Sequence, residues 1–194
     1  MPEKKFHDSS SEALIGGNEV LLNGIAQGTG YDQRIGRNIM VKSIHVKWKL
    51  TGAPHNETAA SFSPGAIIRV IIFVDNQPNG ELASVPGDLL VASAPGKYPL
   101  AHLNMANSAR FRVLFDKRYC VANANADDRS GWKYIVYDET FQKMNLKVTY
   151  ANTSTGTISD IETNAIYAYV ISDIIDGDNL PVMELNARIR FVDN

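Results

Sequence analysis

A single cysteine, Cys120, leaves the 194-residue chain without any internal disulfide or thiolate cluster, which fits a reducing compartment and a fold held by packing. Histidine is scarce as well. His7, His45, His55 and His102 lie far apart without HxH, HxxxH or HExxH spacing, so no metal site and no other cofactor is expected. Apolar runs such as Ile71, Ile72, Phe73, Val74 are far shorter than the roughly 18 residues of a membrane span. No apolar stretch follows the charged start Met1-Pro2-Glu3-Lys4-Lys5, so no secretory signal is expected. A basic excess is also missing: the net charge is -2, and two slightly basic quarters of the chain alternate with two acidic ones. Binding driven by bulk positive charge is thereby excluded, and only local patches are left to meet an anion. Helical periodicity is absent too, apart from a short turn that Gly80 to Val91 could hold.

What the chain does contain is period two. With 44% hydrophobic and 21% charged residues it has the composition of one globular domain. In residues 37–50, Met40, Ile44, Val46, Trp48 and Leu50 share one parity against Ser43, His45, Lys47 and Lys49, with Lys42 as the one charge on the apolar side. Residues 109–121 alternate Phe111, Val113, Phe115, Tyr119 and Val121 with Arg110, Arg112, Asp116 and Arg118. Residues 142–150 and 184–192 repeat the pattern, each with one wet face. The stretches 66–75 and 165–172 are almost continuously apolar, as strands buried on both faces are. Weaker strands are expected at 88–93 and 132–138. Eight strands with turn chemistry between them predict an all-β fold, a single eight-stranded antiparallel jelly roll. Trp48, Phe111, Phe115 and Phe191 should be buried in it.

Chemical motifs are few, and for most the bland reading is favoured. Cys120 has no histidine near it in sequence and reads as a packed or shielded thiol rather than a nucleophile. Gly28-Thr29-Gly30 lacks the third glycine and the helix of a phosphate cradle, which leaves a turn. Asp173, Asp176, Asp178 and Asn179 could hold a hard cation, but without the closing bidentate glutamate a solvated loop is the simpler reading. The asparagines of Asn56-Glu57-Thr58 and Asn152-Thr153-Ser154 are chance glycosylation patterns if no signal peptide exists. The wet faces carrying His45, Lys47 and Lys49, or Arg110, Arg112 and Arg118, could meet phosphates, although a solvated face paired with the acidic quarters is the ordinary expectation.

Taken together, several segments resemble the capsid proteins of small circular single-stranded DNA viruses that encode a replication-initiator protein, and more distantly the coat protein of satellite tobacco necrosis virus. They are Leu22, Asn23, Ile25, Gln27 and Gly28; the QRIGRNI run from Gln33 to Ile39, leading to Lys42, Ser43 and Ile44; RVIIFVDNQPNG from Arg69 to Gly80; RFRVLFD from Arg110 to Asp116; Asn164 with Tyr167; and the closing Arg188, Arg190, Phe191 and Asp193. Each is weak alone, but their order covers residues 3 to 194.

The resemblance implies a structural protein without a catalytic site, whose copies assemble into a T=1 icosahedral shell of roughly 60 subunits around circular single-stranded DNA. It implies a place in the virion and assembly in the host nucleus, with no membrane partner; a host receptor cannot be identified. Residues 1–17 are expected to be what remains of an arginine-rich arm, and 18–194 the jelly roll. The expected DNA contacts are Lys4 and Lys5 at the root of that arm, Arg34 and Arg37 ahead of the first long strand, and Lys47 and Lys49 on it. Binding should be weak, because only Lys4 and Lys5 stand where an arm would be. The competing reading is a carbohydrate-binding jelly-roll module using Tyr31, Tyr98 and Trp132 as platforms. Apolar loop residues such as Phe62, Pro64 and Leu100 are expected at subunit contacts.

Overall fold

The structure is a computed structural model that describes residues 4–53, 65–83, 85–91, 98–122, 134–174 and 180–193. Among these residues the strands are β1 (Lys4–Leu14), β2 (Asn18–Leu21), β3 (Asn38–Thr51), β4 (Gly65–Asp75), β5 (Phe111–Ala122), β6 (Ile135–Tyr150), β7 (Ile161–Thr163), β8 (Ala165–Ser172) and β9 (Val182–Asp193). They form two antiparallel sheets, β1-β9-β3-β6-β7 and β2-β8-β4-β5. Without the three-residue β7, each sheet has four strands, and the chain crosses between them in the manner of a jelly roll. The expected fold class is therefore observed, with nine strands in place of eight.

Strand β3 shows why one charge stood on the apolar parity. Its register shifts between Val41 and Ser43, so Lys42 is the extra residue of a β-bulge. Before the bulge Ile39 and Val41 point into the core; after it Ile44, Val46, Trp48 and Leu50 do. Met40, expected inside, is only half-buried. A second bulge in β5, where Ile72 pairs with Phe115 and Phe73 with Val113, leaves Phe115 half-buried, its ring 5.1 Å from that of Trp48. Trp48, Phe111 and Phe191 are buried as expected.

The two strands expected at 132–138 and 142–150 are one 16-residue strand, β6, as far as the described residues reach. The inward positions at the join are Asp138, Thr140 and Gln142, so polar residues disguised the alternation. Asp138 reaches across to the opposite sheet, accepting hydrogen bonds from Lys117 Nζ at 2.6 Å and the Tyr119 hydroxyl at 2.7 Å. The stretch 88–93 is not a strand where it is described. Leu89 and Leu90 are buried, and Leu90 makes only an isolated bridge to Leu103. Residues 4–14, expected as the root of an arm, are instead β1, paired with β9 from Lys4↔Val192 to Leu14↔Val182. The jelly-roll body accordingly includes them, ahead of the expected boundary at residue 18. Their inward positions are Lys5, His7, Ser9, Ser11 and Ala13, too polar to register as a strand pattern.

Both faces of β4 and β8 are buried, as their continuous apolar runs implied. One face meets the other sheet. The outer one is covered by the chain between Asn76 and Arg110, whose Ala83, Leu89, Leu90 and Tyr98 join the core cluster. Arg69, 1% exposed, ties that cover down: its guanidinium binds both Asp116 carboxylate oxygens, at 2.8 and 2.6 Å, and the Ala101 carbonyl at 2.5 Å. Among the described residues the open face is thus the outer face of the first sheet. Cys120, expected to be packed or shielded, is exposed on β5, which among the described residues pairs with β4 alone. Phe62, Pro64, Trp132, Asp176, Asp178 and Asn179 lie outside the described residues.

Candidate nucleic-acid interface

Strand register alone maps the open face into five rows running across β1, β9, β3 and β6. The first row is Lys4, Val192, Met40, Lys147; the second Phe6, Arg190, Ser43, Lys143; the third Asp8, Arg188, His45, Phe141. The fourth is Ser10, Asn186, Lys47, Glu139, and the fifth Glu12, Glu184, Lys49, Tyr137. Rows lie about 6.8 Å apart and strands about 4.8 Å. Lys42, the bulge residue, adds a cation beside the second row.

The charge along this face is graded. Rows one and two, with Lys42, hold Lys4, Lys42, Lys143, Lys147 and Arg190 and no carboxylate. The carboxylates Asp8, Glu139, Glu184 and Glu12 occupy rows three to five, where they neutralise the cations beside them. Arg188 grips Asp8 with two hydrogen bonds, at 2.7 and 2.6 Å, which hold the Asp8 carboxyl below its ordinary value. His45 Nε2 lies 3.1 Å and Lys47 Nζ 3.6 Å from Glu139. Lys49 is paired with Glu184, and that hydrogen bond raises its pKa.

The six expected DNA contacts therefore separate. Lys4 is exposed in the basic first row. Lys5 is 2% exposed, with Nζ 3.0 Å from the Gln33 carbonyl and 3.1 Å from Asp193. Arg34 is fully buried: it donates to the carbonyls of Ile25 (3.1 Å), Gly36 (2.9 Å) and Thr153 (2.6 Å), and its guanidinium lies 4.3 Å over the Tyr150 ring. Burial lowers its pKa, but the ring and three carbonyls hold the charge. The charges of Lys5 and Arg34 are thus taken up by backbone carbonyls and, for Lys5, by Asp193. Arg37 is exposed but spans the Tyr150 carbonyl (3.0 Å) and Glu162 (2.8 Å). Lys47 and Lys49 sit among carboxylates, away from the basic end.

Lys42, Lys143, Lys147 and Arg190, which the sequence reading did not single out as DNA contacts, make up the rest of the basic end. With Lys4 and Lys5, Phe6, Phe141 and the β9 end, Lys42, Lys143 and Arg190 line a depression of about 820 Å³. Lys143, Lys147 and Arg190 already stood on wet parities; their convergence with Lys4 depends on the pairing of four strands distant in sequence. Lys42 donates to Asn145 at 3.0 Å.

The remaining candidates do not assemble into a site. Gly28-Thr29-Gly30 folds around Gln33, whose Oε1 accepts from Gly30 N at 3.0 Å, and a Cβ at Gly28 would fall 2.0 Å from that oxygen. Asp173 spends its carboxylate on the Ile67 amide at 2.8 Å. Among the described residues no group of three or more His, Cys, Asp or Glu is placed to hold a metal. Tyr31 packs on Phe6 beside the first sheet, whereas Tyr98 packs against the core cluster under the cover of the second, so they form no common platform. Arg110 is spent on buried Asp75 at 2.7 Å and Arg118 on the Pro99 carbonyl at 2.6 Å, which leaves Arg112 as the exposed arginine of the expected trio.

The model of the geminivirus coat protein/nuclear export factor BR1 family matches residues 7–194. Among solved structures, a chain of Desmodium yellow mottle tymovirus is similar over 100% of this chain and 82% of its own, at 10% identity and a TM-score of 0.36. The VP1 protein of Trichodysplasia spinulosa-associated polyomavirus follows, over 96% and 78%, at 12% identity and a TM-score of 0.22. No curated protein sequence matches significantly.

Proposed function

The chain belongs to the geminivirus coat protein/nuclear export factor BR1 family and is a structural capsid protein of the virion, and from that premise we propose that it encloses circular single-stranded DNA. Its copies close into an icosahedral shell of roughly 60, the order of the icosahedral rotation group, through repeated small interfaces. The basic end of the open face is turned to the genome. Assembly in the host nucleus accords with a family name that joins coat proteins to a nuclear export factor.

The observation that carries the DNA reading is the segregation of charge. Five cations, Lys4, Lys42, Lys143, Lys147 and Arg190, share one end of a sheet face that holds no carboxylate there, in a chain of net charge -2. Contact through all five gives a log affinity that falls with log salt at a slope of about -3 to -4. Phosphates dominate such binding, so it is indifferent to sequence. The test is a salt series on fluorescent single-stranded DNA with Lys42→Ala/Lys143→Ala/Arg190→Ala against Lys47→Ala/Lys49→Ala. The first variant should lose about two units of slope and the second almost none. An unchanged slope in the first variant contradicts the proposal.

A further inference from the structure

We infer that Phe141 is a stacking platform for an unpaired base, which makes this face hold single strands in preference to duplex; the inference rests on the reading of the face as the DNA interface. Phe141 is 50% exposed, lies on the wet parity of β6 and takes no part in the core cluster. It stands in row three beside His45, whose ring meets it edge-on with centroids 5.9 Å apart and an interplanar angle of 84°, an arrangement that steadies the ring. On one side it lines the 820 Å³ depression with Lys42, Lys143 and Arg190, and on the other a smaller one of about 300 Å³ with Lys47 and Arg188. An aromatic ring between two hollows, with cations one row away, is the arrangement by which single-strand-binding grooves hold bases and follow the backbone. A duplex keeps its bases stacked inside and can offer a recessed ring nothing but phosphate and sugar.

Tyr137 supplies the comparison within the molecule. It is 72% exposed on the same strand and face, but its row holds Glu12 and Glu184, where a phosphate is repelled. Exposure of an aromatic is thus common to both, but the cations beside Tyr137, Lys47 and Lys49, are paired with Glu139 and Glu184, whereas Phe141 borders the row of Arg190 and Lys143, which holds no carboxylate.

The experiment measures binding of a fluorescent 20-nucleotide single strand, the matching duplex, and an abasic strand of equal length, for the wild type, Phe141→Leu, Phe141→Trp and Tyr137→Leu. Phe141→Leu should bind the single strand about tenfold more weakly with the salt slope unchanged, because stacking releases no counterions. Its affinity for duplex and abasic strand should equal that of the wild type. Phe141→Trp should restore binding and show quenching of the new indole when DNA is added, a signal that a merely structural role would not produce. Tyr137→Leu should behave as the wild type. The inference is overturned if Phe141→Leu binds the single strand like the wild type, or weakens on all three nucleic acids, or weakens equally on heparin, which has no bases to stack. Those results leave the salt-slope loss of Lys42→Ala/Lys143→Ala/Arg190→Ala standing, so failure of the platform is distinguishable from failure of the DNA interface.

Discussion

Replacing Arg34 separates a structural cation from a DNA-binding one. Its guanidinium is fully buried, donates to three carbonyls from separate segments, and stacks on Tyr150, whose hydroxyl in turn donates to the Asn23 carbonyl at 2.8 Å. Arg34→Met keeps much of the volume but strands the carbonyls of Ile25, Gly36 and Thr153. Each charged hydrogen bond contributes about 1.5–3 kcal/mol, and part of that sum is regained because a buried charge no longer has to be desolvated. The net loss should be about 3–5 kcal/mol, comparable with breaking other buried charged networks. For a chain of this size that corresponds to a fall in melting temperature of roughly 6–20 °C. Thermal unfolding followed by circular dichroism measures it, beside the DNA salt slope taken well below the transition. The account requires a large loss of stability and an unaltered slope. An Arg34→Met protein as stable as the wild type, with one phosphate contact fewer in its slope, would refute the clamp and return Arg34 to the interface.

Two further outcomes concern pH. Glu19 on β2 is pushed up to about 7 by burial and by the nearby Asp75 and Asp88, and among the described residues its Oε1 has no hydrogen-bond partner. A folded-state pKa above the unfolded value means that its contribution is full below about pH 4.5 and is lost as pH rises towards 7. Glu19→Gln should therefore stabilise the protein at pH 8 by about 1–2 kcal/mol, after allowance for the water that still reaches the group. His7, whose pKa is lowered by burial, acts with the opposite sign in the same window, so the difference between Glu19→Gln and wild-type melting curves from pH 4.5 to 8 is the measurement; parallel curves would refute the reading. Burial alone would raise the Asp160 carboxyl, but hydrogen bonds from Thr153, Thr155 and Thr157 more than offset it and hold it well below the usual range. Its stabilisation is present above the ordinary carboxylate value and fades as pH falls below it. Asp160→Asn should lower stability at neutral pH by about 1–3 kcal/mol for the lost charged hydrogen bonds and leave a shallower decline in acid; equal stability across that range would count against it.

Strands β3, β4, β8 and β9 were legible because burial on one or both faces writes period two, or a continuous apolar run, directly into residue type. Strand β1 was not, since an edge strand can turn Lys5, Ser9 and Ser11 inward at little cost. Bulges are equally silent: Lys42 looked like a charge on the wrong face until the register showed an extra residue. The site was legible only in part. Parity says that Lys143 and Arg190 are wet, but only register makes Lys4, Lys42, Lys143 and Arg190 neighbours. Arg34 shows the converse failure, because a buried arginine satisfied by backbone carbonyls carries no mark in sequence that separates it from an exposed one.

Closure of copies of this chain into a shell is read from the particle mass in solution. Light scattering on the purified protein should find particles of about 1.3 MDa, the mass of roughly 60 chains of 21.3 kDa, and heavier ones, by the mass of the enclosed strand, when circular single-stranded DNA is present. A mass of 21.3 kDa that persists at high protein concentration, in low and high salt and in the presence of DNA, would contradict it.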